Sequence, residues 1–163
     1  MSEYGEIIRN GSEIRGVIDD GTRAIPIENK FGKLICTIHI RPGDLSIVDR
    51  YEEVQRRLPE ITAPLKGINI SNDGAESDRI DTLKKVEKDL YDLLNFLFDM
   101  DEAEQIFATR NPFSSVGGRF FAESVIQLIG DIVSQTLEEE AKATEERTQK
   151  YLSDIADADN SEE

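Results

Sequence analysis

Along residues 1–41 the apolar positions come in short runs, EII, EIRGVI, RAIPIEN and KLICTIHI, separated by NGS, DDG and KFG. Asn-Gly and Asp-Gly tolerate positive φ, so these breaks favour hairpin turns. In the last run Leu34, Cys36, Ile38 and Ile40 alternate with Ile35, Thr37 and His39, which is the period of a strand. The pattern predicts a small antiparallel sheet of two to four strands.

The period then changes. Pro42-Gly43 stops the strand, Asp44 or Ser46 can cap a helix, and Ile47, Val48, Tyr51, Val54 and Leu58 recur at helical spacing until Pro59. Residues 59–78 are rich in Pro, Gly and polar side chains and predict a long loop, with one short strand at GINI. From Ile80 the helical stripe is clearest: Leu83, Val86, Leu90, Leu93 and Leu97 step by three and four, with Leu94 and Phe98 widening it. Such a stripe serves either as the core face of a bundle helix or as a coiled-coil seam. Asp101 can cap a short helix through Ile106 and Phe107.

The stretch NPFSSVGGRFF, residues 111–121, reads as a packed hinge built from Asn111, Pro112, Phe113, Gly117, Gly118, Phe120 and Phe121. Asn111-Pro112 breaks the preceding helix, and Ser114 or Ser115 offers a cap for the next. The Gly pair lets two backbones approach closely while the three Phe rings fill the joint. A Gly pair before a helix also invites an anion-binding reading. The Gly-Lys-Ser/Thr ending and the preceding strand that such sites need are both missing.

After the pair comes a long helix with Phe121, Val125, Leu128, Ile129, Ile132, Val133 and Leu137 on one face. Beyond it the stripe thins to Ala141, Thr144, Tyr151, Leu152 and Ile155 within a dense charge run, and DADNSEE at the end predicts disorder. The expected fold is α+β. A β-rich segment at 1–41 leads into a helical core at 42–137, followed by an acidic helical extension and tail at 138–163.

Charge narrows the function classes. With 19 Lys+Arg against 34 Asp+Glu in 163 residues the chain carries −15. That balance repels phosphate backbones and anionic lipid, so neither nucleic acid nor a membrane is an expected partner. Residues 138–163 alone hold ten acidic and three basic side chains. One cysteine, Cys36, cannot form an internal disulfide and fits a reducing compartment. No apolar run approaches a membrane span and no secretion signal is visible, which predicts a soluble cytoplasmic protein.

Catalysis has little to stand on. The single histidine, His39, has no second imidazole for a zinc site and reads as a satisfied or half-exposed strand residue. No nucleophile elbow is present. The carboxylates cluster on helical outer faces, not as an isolated pair in apolar surroundings. No catalytic residue, metal ligand or cofactor site is expected.

Two blocks resemble one family. IHIRPGDLSIVDRYEEV, residues 38–54, is similar to the strand-turn-helix entry of tail assembly chaperones from long-tailed, siphovirus-type phages and prophages of Gram-positive bacteria. Its matching positions are Arg41, Pro42, Gly43, Asp44, Arg50 and Tyr51. NPFSSVGGRFFAESVIQLIGDIVSQ, residues 111–135, with ERTQKY at 146–151, looks like the second half of the same family. The resemblance covers about half of the chain, in the right order.

It implies a chaperone that binds and solubilises the tape measure protein in the host bacterial cytoplasm and is missing from the mature virion. It also implies contact with the tail tube protein through a frameshifted, longer form. An apolar groove would then receive client helices, with Leu90, Leu94, Phe98, Val125, Ile129 and Ile132 as candidate contacts. On that reading Leu94→Asp or Ile129→Asp abolishes client solubilisation with helicity intact, whereas unfolding would mark them as core. Each of the six also has the plain reading of interior packing, and the seam-like helices leave homo-oligomerisation open. The alternatives are a structural tail-completion or connector protein and an acidic mimic of DNA.

Overall fold

A computed structural model describes residues 5–67, 76–99 and 102–161. The fold is α+β, with small antiparallel sheets at the N-terminus followed by helices. The chain divides into two compact units, Met1–Pro112 and Phe113–Glu163.

The first unit begins with two separate hairpins, not one sheet. Strands β1 (Glu6–Asn10) and β2 (Glu13–Val17) pair antiparallel, with Asn10 opposite Glu13. The loop is therefore Gly11-Ser12. Gly11 alone carries positive φ, at 64°, the pattern of a type II′ turn. Asp20-Gly21 closes no hairpin. Asp19 and Asp20 instead accept the N–H groups of Gly21 and Thr22, each at 2.9 Å, in a bend that joins the two ribbons.

Strands β3 (Arg23–Glu28) and β4 (Leu34–Ile40) form the second hairpin, with a register shift at Ile27/Glu28. Asn29 organises its loop, accepting from the N–H groups of Phe31 at 2.9 Å and Lys33 at 3.0 Å. On β4 the alternation buries Ile38 and Ile40. Strand β4 packs on the short helix α3 (Ala103–Ile106). Burial pushes the Cys36 thiol upward, away from the reactive thiolate form.

Helix α1 (Ser46–Thr62) starts where Asp44 accepts the Ser46 N–H at 3.0 Å and its hydroxyl at 2.7 Å. The expected stop at Pro59 is not a stop, because Pro59 lies inside the helix. Proline removes one donor and crowds the preceding turn. Even so, the ladder resumes at once, with the Ala63 N–H bonding the Pro59 carbonyl. The Thr62 hydroxyl donates to the Leu58 carbonyl at 3.0 Å. A 3₁₀ turn follows at Ala63–Gly67, so the loop expected at 59–78 is helical at its start. Most of the GINI strand expectation lies outside the described residues.

Helix α2 runs from Glu76 to Phe98, four residues earlier than the stripe suggested. Acidic Asp78 near its start suits the positive end of the helix dipole. Helices α1, α2 and α3 pack in sequence around Ile47, Val54, Leu90, Leu93, Leu97 and Ile106, all buried. Asn95 accepts the Ala103 N–H at 2.9 Å and so caps α3 from α2. The Asp101 cap lies outside the described residues. Tyr91 stacks on Phe107 with centroids 5.8 Å apart. Burial, then the bond to Glu87, pushes the Tyr91 hydroxyl up.

In the second unit, β5 (Ser115–Val116) and β6 (Arg119–Phe120) form a minimal hairpin that leads into α4 (Phe121–Asn160). Helix α4 passes through the region expected to be disordered as far as Asn160. After Gly130 it contains neither Gly nor Pro, so nothing in the sequence breaks it. Among the described residues no helix is long and apolar enough to cross a membrane.

Asp44 gives the first unit an acid sensitivity. Its bonds to the Ser46 hydroxyl and then the Ser46 N–H hold its pKa below the usual carboxylate value. The folded state therefore binds this proton less tightly than the unfolded chain. That stabilisation is complete above the unfolded pKa of about 3.9 and disappears as pH falls through the lower folded value. Asp44→Asn removes it. Urea unfolding should show the wild type and this variant further apart at near-neutral pH than in acid.

Candidate client-binding surface

In the 38–54 block the two arginines Arg41 and Arg50 hold elements together. Arg50 donates from Nε to the Leu97 carbonyl at 3.2 Å, satisfying a carbonyl at the end of α2. It also donates to the Ser46 hydroxyl at 2.8 Å and lies 3.6 Å from Asp44. Arg41 pairs with Asp99 at 2.7 Å, and Asp99 holds φ at 55° in the turn after α2. The Arg-Pro-Gly-Asp turn and Arg50 thus tie the start of α1 to the end of α2.

His39 is satisfied as expected. Its backbone N–H and its Nδ1 meet the two oxygens of Glu102 at 3.0 and 2.9 Å. Sequence spacing had no means of naming Glu102, which is 63 residues away. Among the described residues no group of three or more His, Cys, Asp or Glu side chains could hold a metal ion. A cleft of about 420 Å³ lies between α1 and α2. Arg57 and Lys85 line it beside Glu60 and Asp89, so its charges balance internally.

In the 111–121 stretch the structure corrects the reason for the glycines. Gly117 and Gly118 are the two turn residues between β5 and β6, with φ of 60° and 82°, the pattern of a type I′ turn. A Cβ on either would meet nothing within 4 Å, so backbone conformation demands glycine there and close approach does not. Neither serine side chain caps α4. Instead the Ser114 carbonyl accepts the Phe121 N–H at 2.8 Å, and Glu123 accepts the Phe120 N–H at 2.9 Å. Phe113 and Phe120 meet edge to face at 5.6 Å. Pro112 is fully buried, and the division between units falls at Pro112–Phe113. Helix α3 ends at Ile106, before Asn111-Pro112 is reached. Gly117→Ala and Gly118→Ala should each cost about 1–2 kcal/mol, with Asn milder at either site, measured by urea unfolding.

Leu90, Leu94, Phe98, Val125 and Ile129 are buried, and Ile132 is half-buried. The helical period marked an apolar face, and five of these six positions are interior side chains. The chain matches no protein-family profile, no curated protein and no solved structure.

The surface open to a helix lies further along α4. Every residue from Glu138 to Asn160 is exposed, including Tyr151, Leu152 and Ile155. Ala141, Thr144, Thr148, Tyr151, Ile155 and Ala158 recur at alternating steps of three and four, the spacing of a coiled-coil seam. Glu140, Glu145, Asp154 and Asp159 flank that seam against a single Arg147. The flanks would repel a second identical seam and attract one flanked by Lys and Arg. The sequence marks this stripe as a thinning one, and four of its five positions, Ala141, Thr144, Tyr151 and Ile155, fall on the seam.

Proposed function

We propose that the chain is a phage tail assembly chaperone that binds and solubilises the tape measure protein during tail morphogenesis, without catalysing a reaction. The observation that carries this reading is the exposed seam of α4, with Tyr151 and Ile155 on it and Leu152 beside it, held on a helix in solvent. A long helical client with apolar stripes can lay one stripe along this seam, in the manner of helix-to-helix recognition. The acidic flanks select client helices bordered by basic residues. The net charge of −15 keeps loaded complexes apart and soluble. The resemblance at 38–54, 111–135 and 146–151 supports the same role.

On this reading the protein works in the host cytoplasm and leaves before the particle is finished. The tail tube protein is a further partner, reached through a longer frameshifted form. Co-expression with the tape measure protein tests the reading: the client should move from the pellet to the soluble fraction and co-purify with the chaperone. A client that precipitates equally with and without this chain would contradict it. Mass spectrometry of purified particles separates the connector alternative, since a chaperone is missing there and a connector has a fixed copy number.

A further inference from the structure

The hairpin of β1 and β2 leaves its own apolar face open. No third strand extends it among the described residues. Ile7 is 70% exposed, Ile14 66% and Ile18, just past β2, 72%. The register puts Ile7 opposite Gly16 and Arg9 opposite Ile14, so Ile7 and Ile14 share one face. An isolated two-stranded ribbon is marginal in water, and more strands are needed to hold it. Strand β2, EIRGV, has no Pro, no Lys and no register shift to block its edge, and its two charges, Glu13 and Arg15, are of opposite sign.

Charge indicates what completes this ribbon. The chain carries −15 overall, yet residues 5–18 contain two Glu and two Arg and are neutral. This is a place where two copies can meet without the repulsion that separates the rest of their surfaces. The backbone gives the register. A two-residue loop makes Asn10–Glu13 a hydrogen-bonded pair, and alternation makes Ile8–Arg15 and Glu6–Val17 hydrogen-bonded too. The amides and carbonyls of β2 that point outward are then those of Ile14 and Gly16.

We propose that a second copy of this chain docks on this edge, pairing β2 with β2 antiparallel across a two-fold axis at Ile14. Ile14 exchanges both backbone hydrogen bonds with Ile14 of the second copy. Glu13 faces Arg15 of the second copy, and the symmetry repeats that pair. Shifting the axis by one residue sets Glu13 against Glu13 or Arg15 against Arg15, which like-charge repulsion disfavours. Moving it to Gly16 leaves both charges without an opposite partner. The product is a four-stranded sheet with Ile7 and Ile14 of both copies on one face. It is a closed two-fold contact and propagates no further along β2. The inference is independent of the chaperone reading, because it uses no residue of α4.

Sedimentation velocity of the full chain over a range of concentrations tests it. The wild type should be a dimer. Glu13→Arg and Arg15→Glu should each weaken association by about tenfold or more, since each turns both cross-strand pairs from attraction to repulsion. The double variant Glu13→Arg/Arg15→Glu restores opposite charges and should regain the wild-type association. In a Cys36→Ser background, Ile14→Cys should oxidise to a disulfide-linked dimer, because a hydrogen-bonded antiparallel pair holds Cα atoms about 5.5 Å apart. Gly16→Cys should not. A wild type that stays monomeric overturns the proposal, as does a double variant as weak as the single ones. Cross-linking at residue 16 in preference to residue 14 also overturns it.

Discussion

Leu94→Asp unfolds the first unit. Leu94 is 0% exposed on the buried face of α2, between Leu90 and Phe98. An aspartate there either ionises in an apolar interior with no partner or remains protonated with unmet hydrogen bonds, and each costs several kcal/mol. Truncation to Ala alone should cost about 2–5 kcal/mol, a large share of the roughly 5–15 kcal/mol that holds a domain together. Far-UV circular dichroism of Leu94→Asp should show loss of helix at room temperature. Urea unfolding of Leu94→Ala should show a shifted midpoint with an unchanged slope. If Leu94→Asp keeps its helicity, this face of α2 is open to solvent, and the groove expected from the sequence is restored.

The double variant Tyr151→Asp/Ile155→Asp behaves in the opposite way. Tyr151 is 66% exposed, and Ile155 lies one helical turn away on the same seam. Exposed helix positions tolerate such changes within about 0.5 kcal/mol each, so helicity and unfolding midpoint should be nearly unchanged. Client binding should fall by about a hundredfold, because two apolar anchors are lost and two like charges join an acidic flank. The check is client solubility in co-expression beside a circular dichroism spectrum. A double variant that still solubilises the client would place the binding surface off this seam.

The contrast between these variants shows what the sequence could convey. Period-two alternation found β4, and period 3.6 found the buried face of α2 from Val86 to Phe98, because side-chain direction follows backbone geometry. Neither period says whether a face is covered, since that depends on distant elements. Leu94 and Ile155 look alike in a helical pattern. Only packing separates them, and the more apolar of the two stripes is the buried one. The partner of His39 was illegible for the same reason, because Glu102 reaches β4 only after the chain has folded back.

Pro59 misled in another way. A local rule against proline in helices was outweighed by a ladder that needed only one more turn. The two glycines of the 111–121 stretch were assigned to close approach when their positive φ is what matters, and their turn was hidden because strands of two residues are too short to show a period.

Hydrogen exchange on the chain, alone and bound to the tape measure protein, tests the central claim most directly. Amides between Glu138 and Asn160 sit on a fully exposed helix and should gain protection when the client docks along the seam. Those around Leu90 to Phe98, already buried, should change little. Protection that appears only outside residues 138–160, or none on addition of the client, would contradict the account.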